Sequence, residues 1–276
     1  MIFDPSSRKL GEVGLGRVKG SYRAKSRLIL QDCLREIEPF FGRITIRQLF
    51  YRMVSLGHYP STDKKYYNRF VGLMIRFRLN GHIPISAIID NYRRLEHLPA
   101  WDGPKDFVEN VKPQYRTDWW LDQEGLLFIW LEKDALFDLV WDTAKEFGVP
   151  VNVSRGYVSL SNLREVCEMV RRFRAKSGKT KHTCLYVGDH DPSGLDMERA
   201  IGKYEIGGVR VRPTRVAITY EQAKGYPSLR VKPKDKRSKA YVAKFGDFCW
   251  EVEAIPPREL VGIVRAVITA NCDLSK

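Results

Sequence analysis

The sequence predicts a mixed α/β protein in two parts, a helix-turn-helix domain of winged type followed by a domain with a mainly parallel sheet. Two observations lead to this prediction. Apolar residues recur at helical spacing through the first third of the chain, and from Leu126 onward short apolar runs alternate with helical segments. These patterns divide the chain into an N-terminal arm (1–20), a winged-helix domain (21–100), a linker (101–123) and a sheet domain (124–276).

Three helices are predicted in the first domain, followed by a short β element. Segment 21–40 carries its apolar residues at helical spacing. Thr45 is a good N-cap for a second helix at 46–56, and a third helix is expected at 64–79. The apolar run 85–89 is typical of an extended segment. Because it follows three short helices, it predicts the winged type.

Strand–helix alternation in the second domain predicts a parallel sheet with right-handed crossovers. The linker before it is aromatic and irregular, and a Lys- and Pro-rich loop at 219–246 interrupts the alternation. Two prolines open a closing helix at 256–271. The expected strands are 126–131, 149–154, 183–188 and 211–218, and the expected helices between them are 133–147, 161–175 and 194–203.

Composition excludes several classes of protein. The 276 residues are 43% hydrophobic and 12% aromatic, which is typical of a globular protein rather than a disordered one. No run of about 18 apolar residues could span a bilayer, and the N-terminus lacks the basic-then-apolar order of a signal peptide. Five cysteines without Cys-x-x-Cys spacing indicate core thiols rather than a zinc site, so we expect a cytoplasmic protein.

Basic charge is concentrated in two segments. The net charge is +14, and segments 43–78 and 230–244 contribute +7 and +6 of it. This concentration predicts a polyanionic partner, double-stranded DNA, and hence a nucleoid-associated protein. One alternative is that the basic segments only form a solvated surface. Binding to a membrane surface is disfavoured, because the basic segments lack a long amphipathic helix. The candidate DNA-binding residues are Arg43, Lys64, Lys65, Arg69, Arg76, Arg78, Lys232, Lys234, Lys236 and Arg237.

Three carboxylates follow strands of the predicted sheet. Asp189 and Asp191 come at the end of strand 183–188, and Glu132 follows strand 126–131. Ligand sites of open α/β sheets gather at the carboxyl ends of the strands, and residues two apart on a strand point the same way. We therefore expect the three to converge on Mg²⁺, which prefers carboxylate oxygens. The alternative is that Asp-x-Asp serves only as a turn or a helix N-cap.

A candidate nucleophile lies on the second predicted helix. Arg47 and Tyr51 are four residues apart and share one helix face. A tyrosine hydroxyl with a pKa near 10 is a poor nucleophile at neutral pH, but a neighbouring arginine, metal or phosphate favours its ionised form. On this evidence alone, a packing role for Tyr51 is the simpler interpretation.

Four motifs together resemble one known family. They are Arg-x-x-Phe-Tyr at 47–51, Glu-Lys-Asp-Ala at 132–135, Gly-Asp-x-Asp-Pro-x-Gly at 188–194 and Trp-Glu-Val-Glu-Ala-Ile-Pro-Pro at 250–257. Over about residues 40–275 the chain resembles the topoisomerase VI A-subunit family, which includes the meiotic transesterase that makes DNA double-strand breaks. The last motif is similar to that of the compact members called Mini-A.

The resemblance implies a Toprim (Rossmann-like) fold for the sheet domain and a role for each matched residue. Tyr51 matches the nucleophile that becomes linked to a DNA 5′ end, and Arg47 matches the basic residue that assists at the phosphate. The matched Mg²⁺ ligands are Glu132, Asp189 and Asp191. Arg155 lies in a basic-Gly-aromatic segment similar to the family's and joins the candidate DNA-binding residues.

The family works as a homodimer, in which the tyrosine of one subunit meets the metal of the other and each subunit cuts one strand. A similar role is therefore expected here, that of a type IIB topoisomerase-like enzyme. The short N-terminal arm argues against an ATPase B-subunit partner. Two alternatives stay open at this stage, a Toprim nuclease that uses metal-activated water and a non-catalytic DNA-binding protein of the same fold.

Overall fold

The computed structural model describes residues 22–40, 44–88, 100–112, 118–232 and 237–275. It has the mixed α/β composition that the sequence predicts. One continuous core of buried apolar side chains extends from the first helices into the sheet. The helices are α1 (Ala24–Ile37), α2 (Ile46–Ser55), α3 (Lys64–Leu79), α4 (Pro104–Val111), α5 (Phe137–Ala144), α6 (Leu160–Ser177), α7 (Pro192–Ile201), α8 (Tyr220–Ala223), α9 (Ser238–Phe245) and α10 (Pro257–Ala270).

The three predicted N-terminal helices are confirmed as α1, α2 and α3. The cap of α2 is the predicted one, since the Thr45 hydroxyl accepts a hydrogen bond from the Gln48 amide. The Gln48 side chain accepts one from the Thr45 amide in return, at 2.9 Å, which completes a capping box. Phe50 of α2 packs against Phe70 of α3 with 5.7 Å between ring centroids. This packing fixes the face of α2 that carries Arg47 and Tyr51.

The β element predicted at 85–89 is wrong over most of its length. Residues Ile85–Ala87 form a 3₁₀ turn, which the Ala87 amide closes on the carbonyl of Pro84. The fixed backbone of Pro84 starts this turn. Ile88 makes an isolated parallel bridge with Ile44, and residues 89–99 lie outside the described part of the chain. The winged type is therefore not confirmed.

The predicted linker at 101–123 contains a helix, α4, instead of being irregular throughout. Gly103 precedes it and Pro104 occupies its first turn, where a missing backbone N–H costs nothing. Asp106 in the same turn favourably faces the positive end of the helix. Residues 113–117 lie outside the described ranges.

The structure confirms the predicted parallel sheet. It has four strands in the order β2–β1–β3–β6, and each neighbouring pair is parallel. Two short antiparallel pairs, β4–β5 and β7–β8, lie in the later connections. The strands are β1 (Leu126–Leu131), β2 (Val151–Val153), β3 (His182–Val187), β4 (Glu205–Ile206), β5 (Val209–Arg210), β6 (Pro213–Ala217), β7 (Leu229–Arg230) and β8 (Phe248–Cys249).

The register of the two central strands positions the carboxylates. All six residues of β1 are buried, as expected of a strand covered on both faces. Leu131 pairs with Val187, so the residues that follow β1 and β3 leave the sheet at the same level. Glu132 and Asp189 therefore come together at the carboxyl edge of the sheet.

None of the helices in the described ranges combines the length and the apolar character that crossing a bilayer requires.

Candidate active site

Glu132 and Asp189 are in direct contact at the sheet edge. The Glu132 carboxylate accepts hydrogen bonds from the Asp189 amide at 2.9 Å and from the Tyr186 hydroxyl at 3.0 Å. Gly188 makes this approach possible, because a Cβ at that position would lie 2.5 Å from Glu132 Oε2. Burial, together with the nearby Asp189 carboxylate, raises the pKa of Glu132 to about 7.

Lys133 supplies the positive charge next to Asp189. Its Nζ lies 2.7 Å from Asp189 Oδ2, and the Val252 amide donates to Asp189 Oδ1 at 2.9 Å. Burial raises the pKa of Asp189, while Lys133 acts in the opposite direction. Both carboxylate oxygens of Asp189 are thus engaged by groups of the same chain.

Asp191 caps a helix, as the alternative interpretation of the Asp-x-Asp motif suggested. It is the N-cap of α7, where its Oδ1 accepts a hydrogen bond from the Gly194 amide at 2.6 Å. Within the described ranges, no three acidic, histidine or cysteine side chains are arranged to hold a metal ion. The donor chemistry of Glu132, Asp189 and Asp191 suits Mg²⁺, but these residues do not form a preformed site, and their metal role stays a prediction.

Arg215 of β6 supports the backbone beneath Asp189 and was not predicted. Its guanidinium donates to the carbonyls of Gly188 and Asp189 at 2.8 and 2.9 Å. The Glu198 carboxylate of α7 lies 2.8 Å from Arg215 Nε and balances its charge. Nothing in the sequence around Arg215 indicates this role, because it depends on β6 pairing with β3.

The C-terminal segment 250–254 brings two further carboxylates to the site. His190 and Trp250 exchange both backbone hydrogen bonds, at 2.9 and 3.0 Å, and this pairing fixes the segment against the Asp189 loop. His190 is itself buried, its Nδ1 lies 2.8 Å from the Tyr241 hydroxyl, and burial lowers its pKa to about 4. Glu251 and Glu253 follow and face the site.

Sequence reasoning did not assign Glu251, Glu253 or Lys133 a role. A signal was present, since two glutamates flank a buried valine in a motif already singled out by resemblance. Glu253 is only 5% exposed, and burial raises its pKa to about 7. Lys133, which is partly buried, and Arg47, which is partly exposed, are the cations that oppose these carboxylates.

Arg47 and Tyr51 of α2 meet Glu251 across the boundary between the helices and the sheet. Arg47 Nη1 lies 3.2 and 2.9 Å from the two oxygens of Glu251, and Arg47 Nε lies 3.9 Å from Glu253. Tyr51 is 3% exposed and lies one helical turn after Arg47, near enough to Glu251 to feel its charge. Burial and then the Glu251 charge raise the pKa of Tyr51, so its hydroxyl is protonated in this conformation.

Arg47 is therefore linked to Glu251 within one chain. The resemblance implied that Tyr51 would meet the metal of a second subunit, and this expectation stays a prediction. A hydrogen bond at 3.0 Å from the Thr62 hydroxyl to the Ser228 carbonyl crosses the same boundary. This boundary is where the two parts of the chain build a common site.

The basic residues of α3 are mostly free of ionic partners in the described part of the chain. Four of them are exposed, and one of these, Lys65, lies over the Tyr66 ring with 4.7 Å from its Nζ to the ring centroid. Arg78 differs, because it donates to the Ile85 carbonyl at 2.8 Å and holds the turn after α3. Arg43 lies outside the described residues. The exposed members are Lys64, Lys65, Arg69 and Arg76.

A second basic group lies near the start of α7. Arg155 is exposed and pairs with Asp134 at 3.2 Å. Arg237 donates to the Ser193 hydroxyl at 3.0 Å and contacts the Tyr157 hydroxyl. Lys232 is exposed, and Lys234 and Lys236 lie outside the described residues.

The chain matches no protein-family model and no curated protein. Its function is therefore inferred from the site itself.

Proposed function

We propose that the protein is a Mg²⁺-dependent, DNA-cleaving transesterase of the topoisomerase VI A type, built from a winged-helix domain and a Toprim domain. One observation supports this proposal above the others. Arg47, on the helix face that carries Tyr51, pairs with Glu251 at 2.9 Å, and the next residue, Val252, donates its amide to Asp189, the partner of Lys133. A nucleophile, a cation for a phosphate and a carboxylate edge are the parts that phosphodiester exchange requires.

The proposed reaction exchanges one phosphodiester for another. The Tyr51 hydroxyl gives up its proton and its oxygen forms a bond to phosphorus, while the bond from phosphorus to the 3′ oxygen breaks. The 3′ oxygen leaves as a hydroxyl after taking up a proton, and the 5′ end stays linked to Tyr51. Arg47 presents a planar fork of donors that matches phosphate as well as carboxylate, so it can hold the phosphate oxygens.

The carboxylates and Lys133 act on the charge around the phosphate. Mg²⁺ bound by Glu132, Asp189 and Asp191 would supply positive charge that stabilises the charge developing on the phosphate oxygens. Lys133 contributes a further cation, and Arg215 keeps the Asp189 backbone in position for it.

The proposed substrate is double-stranded DNA, and the proposed assembly is a homodimer. The exposed cations of α3 and those near α7 would contact phosphates on either side of the scissile bond, which positions the duplex without reading its sequence. Two copies are needed because each site cuts one strand of a double-strand break. An ATPase B subunit is not part of the proposal, and a DNA partner fits a cytoplasmic, nucleoid-associated protein.

A second candidate is a metal-dependent nuclease that uses water. The burial of Tyr51 favours it, because a buried hydroxyl with a raised pKa is a poor nucleophile until the site opens. In that case Tyr51 packs against its neighbours and Arg47 alone contacts the phosphate.

The Tyr51→Phe variant distinguishes the two candidates. Duplex DNA labelled at its 3′ ends is incubated with protein and Mg²⁺, and the products are separated on a denaturing gel. The transesterase predicts labelled DNA attached to wild-type protein and to a Tyr66→Phe control, but neither adduct nor cleavage with Tyr51→Phe. Cleavage by Tyr51→Phe with free 5′ ends would establish the nuclease, and intact DNA with wild-type protein would exclude both.

A further inference from the structure

The Glu251 carboxylate pairs with Arg47, which the reaction needs for another purpose. It accepts two close contacts from Arg47 Nη1, and its charge reaches Tyr51, which lies one turn further along the same face of α2. The Arg47 side chain is 43% exposed and that of Glu251 is 19% exposed. An anion from solvent can therefore reach the guanidinium without unfolding the segment that carries Glu251.

A phosphate and Glu251 compete for the same donors of Arg47. A guanidinium fork binds a carboxylate and a phosphate in the same planar geometry, so its Nη1 donor cannot serve both fully. Glu253 lies 3.9 Å from Arg47 Nε and adds negative charge on the same side. A phosphodiester that approaches Arg47 is therefore repelled by the two neighbouring carboxylates, and Glu251 also occupies the Arg47 donors that would bind it.

We propose that Glu251 is a positioning residue that occupies Arg47 in the resting protein and orients the Tyr51 hydroxyl once a DNA phosphate has displaced it from Arg47. This inference rests on the proposed function. It predicts that Glu251 lowers the affinity for DNA and at the same time accelerates adduct formation. A residue that only stabilises the fold would not give these opposite effects.

The same helix carries a matched control. Arg52 of α2 makes a fork with Glu36 of α1, at 3.0 and 3.2 Å, and both side chains are about as buried as Glu251. This pair lies within the helical region and has no contact with Tyr51 among the described interactions. Glu36→Gln and Glu251→Gln remove one negative charge each, so their comparison separates competition at Arg47 from a change in net charge.

The affinity for DNA is measured first, by fluorescence anisotropy of a labelled duplex without Mg²⁺, using the full chain. Glu251→Gln is expected to bind about three- to tenfold more tightly than wild type, and Glu36→Gln within about twofold of it. In an Arg47→Gln background, adding Glu251→Gln should give no further gain, because the competition has been removed. The single-turnover rate of adduct formation at saturating DNA and Mg²⁺ should fall at least about tenfold for Glu251→Gln.

Equal affinities of Glu251→Gln and Glu36→Gln would overturn the competition, and an unchanged adduct rate would overturn the positioning of Tyr51. If Glu251→Gln does not fold, Glu251→Asp takes its place, because its shorter side chain withdraws from Arg47 and should also tighten binding. If wild-type protein binds DNA but forms no adduct, the proposed function fails. The affinity comparison still decides whether Glu251 competes with DNA.

Discussion

The helical region (22–88) and the sheet region (118–275) hold their candidate site residues in different ways. In the sheet region, Glu132 and Asp189 find their partners among residues of the same region, namely Tyr186, Lys133 and Val252. In the helical region, Arg47 finds its partner in Glu251, which belongs to the other region, and Tyr51 lies on the same helix face as Arg47.

The carboxylates and Tyr51 are therefore held in position by different contacts. The carboxylate edge is set by the register of β1 and β3 and by the partly buried Lys133–Asp189 pair, so it depends on the sheet region alone. The position of Tyr51 depends on how α2 packs against segment 250–254. Changes to the carboxylates should therefore affect folding and chemistry together, whereas changes on the exposed face of the helices should affect DNA binding alone.

Asp189→Asn is expected to have the largest effect, because it should lower both the rate of cleavage and the stability of the fold. Cleavage should fall at least about a thousandfold, because the site loses a carboxylate that chemistry requires. Stability should fall by about 1.5–3 kcal/mol, because the partly buried Lys133 would lose the nearest of its carboxylate partners. Thermal unfolding and the gel assay measure the two effects.

The matched control is Asp142→Asn, whose partner Lys145 forms an ion pair on the protein surface. This change should alter stability by no more than about 0.5 kcal/mol and should leave cleavage intact. Normal cleavage by Asp189→Asn would show that the carboxylate edge is not part of the chemistry.

A mixture of two inactive variants tests whether one chain contains a whole site. Chains with Tyr51→Phe and chains with Asp189→Asn are co-expressed with different tags, and the mixed dimers are purified. Arg47, on the helix face of Tyr51, pairs with Glu251 of its own chain. If each site is built from one chain in this way, neither site of such a dimer is intact, and we expect no nicking of supercoiled DNA. Dimers of wild type and Tyr51→Phe are the control, and they should nick one strand. Nicking by the mixed variants would place Tyr51 with the carboxylates of the partner subunit.

Removing the exposed cations of α3 should have a smaller effect, confined to binding. A triple change of Lys64, Lys65 and Arg69 to alanine should reduce the slope of log affinity against log salt by up to about 2.7, since each phosphate contact contributes about 0.9. The affinity of the triple variant should fall by the same factor for DNA of every sequence. Lys181→Ala is the control, because Lys181 pairs with Glu124 at the opposite edge of the sheet. An unchanged slope in the triple variant would place the DNA elsewhere.

Periodicity and capping were sufficient to predict α1, α2, α3 and the parallel sheet. The convergence of Glu132 and Asp189 was also predictable, since it follows from where parallel strands end. The convergence of Asp191 with Asp189 stays a prediction. What local pattern left open is that β3 ends at Val187 and that Asp191, beyond it, also caps α7.

Contacts between distant segments could not be predicted from local pattern. The pairing of Arg47 with Glu251 joins residues 204 apart in sequence, and it depends on segment 250–254 packing beside His190. The 3₁₀ turn at Ile85–Ala87 was missed for another reason. Its residues suit a strand and a turn equally well, and Pro84 decides between them.

The most direct test identifies the residue that carries the DNA. Wild-type protein is incubated with duplex DNA and Mg²⁺, the reaction is stopped with denaturant, and the trapped adduct is digested with nuclease and protease. Mass spectrometry of the peptides should find a 5′-linked nucleotide on Tyr51 and on no other tyrosine. A nucleotide on a different residue, or cleaved DNA with no modified peptide, would contradict Tyr51 as the nucleophile.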